Sequence, residues 1–105
     1  MSHFTRDDLA RCRDSIDQLD LQLLDLLNRR TSVVEEIGRI KQELRLAVYE
    51  PKREDQVFSN VLSHNAGPLP ADAVKRIFER IIDEMRTVQQ KKILGADSSS
   101  NRNQC

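Results

Sequence analysis

LARCRDSIDQLDLQLLDLLNRRTSVVEEIGRIKQEL, residues 9–44, is the stretch on which the fold of this chain turns. Apolar side chains recur along it at alternating spacings of three and four: Leu9, Cys12, Ile16, Leu19, Leu23, Leu26, Val33, Ile37, Ile40 and Leu44. One step of the ladder is charged, at Arg30. This is the period of an amphipathic α-helix, and no glycine or proline intervenes except Gly38. Just upstream, Thr5 and Asp8 have the spacing of a capping box, and Phe4 and Leu9 stand where a hydrophobic staple would sit. The pattern predicts one helix from about residue 6 to about residue 45. The alternative is a helical hairpin broken near Gly38.

At 1.5 Å per residue such a helix is a rod of roughly 60 Å. A compact domain of this size has a radius of gyration of only about 13 Å. In a monomer the rod would leave its apolar stripe in water, so it calls for a second chain to cover it.

Two shorter helices are expected downstream. Glu50-Pro51 opens one, since proline suits the first turn, and it carries Val57, Phe58, Val61 and Leu62. Asn65-Ala66-Gly67-Pro68 breaks it. The third begins near Pro70 and carries Val74, Ile77, Phe78, Ile81, Ile82, Met85 and Val88. The fold class is therefore all-α, with three helices per chain and a long first helix. Residues 1–94 form the helical domain, and GADSSSNRNQC, residues 95–105, reads as a disordered polar tail.

Composition narrows the function. At 105 residues the chain has the length of one domain, and lysine plus arginine balance aspartate plus glutamate at 17 each. No net field favours nucleic acid or a membrane surface. The opening MSHFTRDD lacks an apolar signal region, and no stretch approaches the ~20 apolar residues of a membrane span. Cys12 and Cys105 have no metal-like spacing, so a cytoplasmic, reduced protein is expected. His3 and His64 read as surface residues.

The informative residues are polar ones on apolar faces. At about 100° per residue, Arg30 and Lys41 point within about 20° of each other, inside the stripe of Leu19, Leu23 and Ile37. Glu54 falls at the centre of the second helix's stripe, Arg53 at its edge, and Gln89 between Phe78 and Ile82 on the third. An unpaired charge in a core costs several kcal/mol. These residues could neutralise one another as a buried ion network that sets register. Counted with Arg13, and with Glu50 set aside as a helix cap, they make four cations against one anion. That surplus points to a pocket for a small dicarboxylate. Arg13 lies about 100° from the stripe and roughly 25 Å along the helix from Arg30, so by periodicity alone it is a surface residue.

The order Arg13, Asp20, Arg30, then Glu36-Ile37-Gly38-Arg39-Ile40-Lys41, then Glu50-Pro51-Lys52-Arg53-Glu54, then Gln89, resembles the all-helical class of chorismate mutases. The similarity covers about residues 8 to 92. It implies an intertwined helical homodimer with two equivalent sites, rearranging chorismate to prephenate on the way to phenylalanine and tyrosine. By match to the family's motif, Arg13 would come from the partner subunit and Arg30 from the same chain, each holding a substrate carboxylate. Lys41 and Gln89 would donate to the ether oxygen that leaves the ring. Glu54 would accept from the ring hydroxyl, with the backbone around Glu50 nearby, and Arg53 would complete the cationic wall. Met85 stands where some members place a small hydroxyl residue, which puts that contact in doubt. Glu50 replaces what is often aspartate. The resemblance implies no cofactor and no metal, and association with another aromatic-pathway enzyme would fit it. Rival readings are an isochorismate pyruvate-lyase on the same fold, and a non-catalytic helical dimer acting as a regulatory or docking module.

Overall fold

A computed structural model describes residues 3–97, with side chains described through Lys91. All regular structure among the described residues is helical: α1 spans Arg6–Leu44, α2 Pro51–His64 and α3 Ala71–Asp97. The expected three helices are present, and α1 runs through Gly38 without a break. α3 reaches Asp97, and the rest of the stretch expected as a tail, 98–105, lies outside the described residues. The chain divides into residues 1–32 and residues 33–105, and α1 contributes to both.

In residues 1–32 the capping box forms as expected. The Thr5 amide donates to Asp8 Oδ2 at 2.8 Å and the Asp8 amide to Thr5 Oγ1 at 3.3 Å, so two amides of the first turn are satisfied reciprocally. Arg11 adds an ion pair to Asp8. The apolar stripe here is uncovered by the chain itself: Leu19, Leu23 and Leu26 are 54–55 % exposed.

The core lies in residues 33–97. Val34 of α1 and Val74, Ile82 and Met85 of α3 are buried, and α2 packs on α3 with Val57, Phe58, Val61 and Leu62 half-buried. α1 ends in a Schellman-type turn. The Leu46 amide donates to Lys41 O at 2.8 Å and the Arg45 amide to Gln42 O at 3.2 Å. Arg45 takes the left-handed conformation (φ 58°) that glycine usually fills at this position. The turn closes the last carbonyls of α1 and sends the chain back through Val48–Glu50 to the start of α2. In the break before α3, Asn65 Oδ1 accepts from the Gly67 amide at 3.0 Å, and its Nδ2 donates to Leu69 O at 2.8 Å.

Gly38 is buried against Gln89 of α3, and a Cβ built there would lie 3.6 Å from Gln89 Cγ and 3.7 Å from its Cα. That is ordinary van der Waals contact. Gly38→Ala is therefore expected to fit and to raise unfolding stability by about 0.5–1 kcal/mol, the helix penalty of glycine. A denaturant midpoint that rises at constant slope checks this. A lower midpoint would mean that another surface closes on this face.

Candidate active site

Lys41 is the one buried charged side chain among the described residues, at 6 % exposure. Burying an ammonium is costly unless its donors are used. Its Nζ donates to Val48 O at 2.9 Å and to Gln89 Oε1 at 3.1 Å, and pairs with Glu50 Oε1 at 2.7 Å. Three N–H bonds meet three acceptors. They come from the turn after α1, the start of α2 and the far part of α3, so the ammonium ties together segments distant in sequence. Because Lys41 occupies Gln89 Oε1, the Nε2 amine becomes the donating end of that amide.

A second cluster lies one helical turn earlier on α3. Arg86 Nη2 pairs with Glu54 Oε2 at 2.5 Å, and Nη1 reaches Asp83 Oδ1 at 3.4 Å. The guanidinium lies over the Tyr49 ring, 5.0 Å from its centroid. The hydrogen bond to Glu54 raises the Arg86 pKa above the ordinary arginine value. Burial pulls it the other way, and the charges of Glu54 and Asp83 add to the rise. Glu54 and Arg86 are both half-buried, which favours a charge-assisted pair over a fully exposed one.

The structure thus brings together Lys41, Glu50 and Gln89, with Glu54 held separately by Arg86. Met85 is buried directly beside Arg86 in sequence. Arg53 is exposed and donates to Gln56 Oε1 at 3.4 Å along α2. Arg13, exposed, and Arg30, half-buried, belong to residues 1–32.

Two expectations need correction. Glu50 occupies the N-cap position of α2, but its side chain makes no capping hydrogen bond and serves as the counter-ion of Lys41. Glu50 therefore enters the tally as a second anion, and Arg86, which the tally left out, enters as a fifth cation, with Lys41 and Glu54 each holding a partner within residues 33–97. Arg86 itself was missed. It lies about 40° outside Ile82 at about 100° per residue, an edge position like that of Arg53, and this was the available signal.

The family described as chorismate mutase type II matches residues 12–90. A bifunctional chorismate mutase/prephenate dehydratase of Aquifex aeolicus is 32% identical over 89 residues, covering 81% of this chain and 25% of that protein. A chorismate mutase of Methanocaldococcus jannaschii is 24% identical over 99 residues, covering 90% and 94%. The solved chorismate mutase (form II) of Thermus thermophilus is 30% identical with a TM-score of 0.78, over 79% of this chain and 94% of that one. The chain spans about a quarter of the length of the bifunctional relatives it matches. With the match running from the first half of α1 to Gln90 of α3, and so through both site clusters, the chain belongs to the chorismate mutase type II family.

Proposed function

We propose that this chain is a chorismate mutase, converting chorismate to prephenate by an intramolecular rearrangement that needs no cofactor. The observation that carries the reading is the Lys41–Gln89 pair: a buried ammonium bonded to an amide whose amine is left to donate. In this rearrangement an ether C–O bond breaks while a C–C bond forms, and the ether oxygen gains negative charge. Two donors that turn to that oxygen lower the barrier, since they strengthen as charge develops. Glu54 accepts the ring hydroxyl, and the backbone near Glu50 closes the site. Arg30, with Arg13 from a second copy, binds the two carboxylates, and Arg53 adds positive charge at the rim. Met85 supplies an apolar wall where some relatives bring a hydroxyl.

The working unit in this reading is a homodimer. The uncovered stripe of Leu19, Leu23 and Leu26 supports it, because a second copy would remove that surface from water. The bifunctional names of several relatives support association with another enzyme of the aromatic pathway. A cytoplasmic setting fits, and no helix among the described residues is long and apolar enough to cross a membrane.

Loss of chorismate absorbance in cofactor-free buffer, with isochorismate run in parallel, tests the reading. Turnover of isochorismate with release of pyruvate would make the chain the lyase. Inertness toward both would leave a docking module.

Gln89 gives a sharper prediction. A neutral amide donor keeps the rate nearly flat from mildly acidic to mildly basic pH. Gln89→Glu places a carboxylate against Lys41, where it pairs with the ammonium and repels the ether oxygen. Only its protonated form can donate, so activity should survive chiefly at low pH. A variant equally active at high pH would remove position 89 from the ether oxygen.

A further inference from the structure

We propose that Arg86 is a positioning residue of this site, holding the Glu54 carboxylate and the Tyr49–Glu54 segment in the geometry that a hydroxyl-bearing ligand requires. This rests on the mutase reading and deepens it.

The segment from Val48 to Glu54 is tied to α3 at two points. Lys41, bonded to Gln89, holds Val48 O and Glu50 at one end. Arg86, one turn back on α3, holds Glu54 at 2.5 Å at the other end and covers the Tyr49 ring between them. A carboxylate has several acceptor sites, and an arginine on one oxygen leaves the other to take a ligand hydroxyl while restricting its rotation. Its two terminal nitrogens face Glu54 and Asp83, and one guanidinium face meets Tyr49. It acts through Glu54. That separates it from Arg30 and Arg13, which in the mutase reading bind the ligand directly.

A hydroxyl that stays on the ring keeps its partner in both ground and transition states, so the loss on removing Arg86 should fall on binding. Arg86→Leu is expected to raise KM about tenfold, with kcat changed only a few-fold, the pattern of a lost uniform interaction. Arg86→Lys keeps the charge without the fork, and should recover part of the loss. In a double-mutant cycle, Arg86→Leu should add little to the loss already caused by Glu54→Gln. A fall in kcat at constant KM, or losses that simply multiply, would overturn the proposal.

Tyr49 supplies a readout independent of turnover, because the chain has one tyrosine and no tryptophan. Its fluorescence should change in Arg86→Leu and in Glu54→Gln, both with native helicity by circular dichroism. An unchanged signal in Glu54→Gln would show that Glu54 and Tyr49 are not held together by Arg86. If the native protein leaves chorismate untouched, the mutase reading fails, and the fluorescence arm still decides whether Arg86 organises this segment.

Discussion

Lys41→Ala is expected to lower kcat by about 100-fold or more, the scale on which oxyanion donors are lost in enzymes. Its ammonium is buried at 6 % exposure, so little water stands ready to replace it. All three of its donors are already engaged, by Val48 O, Gln89 Oε1 and Glu50 Oε1. To meet an ether oxygen it must share or release one of these. Glu50, half exposed at its side chain, is the partner that water can most readily satisfy. The charge on that oxygen grows as the C–O bond breaks, so the effect should fall on kcat far more than on KM. Steady-state kinetics on the folded variant checks it. Intact kcat with a raised KM would assign Lys41 to binding alone. Alanine also leaves a cavity where the buried stem lay, so Lys41→Met, which keeps the stem, should accompany it. A similar kcat loss in both variants isolates the charge.

Mixing two weakened variants should restore activity. Arg13→Ala and Arg30→Ala are each expected to lower kcat/KM by about 10- to 100-fold, as charge-assisted bonds to a carboxylate are lost. Along α1 the two arginines are roughly 25 Å apart at 1.5 Å per residue, too far for one small ligand within one chain. If a second copy supplies Arg13, each homodimer has two damaged sites. A heterodimer of the two variants has one site with both lesions and one with neither. Purified heterodimers should therefore recover about half the wild-type activity. Light scattering should give about twice the 12.1 kDa chain mass for every species. Heterodimers no more active than their parents would return Arg13 to the surface role that its periodicity suggests. A stable monomer would remove the shared site altogether.

The helices were legible because helical order is local. Thr5 and Asp8 cap α1 as their spacing predicts, and the three–four ladder carries α1 through Gly38 to Leu44. Pro51 opens α2, and Asn65 to Pro68 ends it. The same periodicity put Lys41, Glu54 and Gln89 on apolar faces, and all three take part in side-chain ion pairs or hydrogen bonds there. The family resemblance added roles that spacing alone does not contain.

Partner choice was not legible in that way. Periodicity gives the direction of a side chain about its own helix axis, within a turn or two. It carries no information on which residue of another helix stands opposite. Glu50 sits at an N-cap position, and its local reading as a cap is reasonable. Yet the turn at Arg45 brings it within 2.7 Å of Lys41, where pairing a buried ammonium outweighs capping a solvated helix end. Arg86, at the edge of its stripe, reads locally as a surface residue, and only the packing of α2 on α3 gives it Glu54. Sequence determined the helices, their faces and which polar residues were out of place. The packing of residues 33–97 decided which charges neutralise one another, because that depends on distances between segments that the turn after α1 and the contact of α2 with α3 bring together, set by side-chain volume and turn geometry.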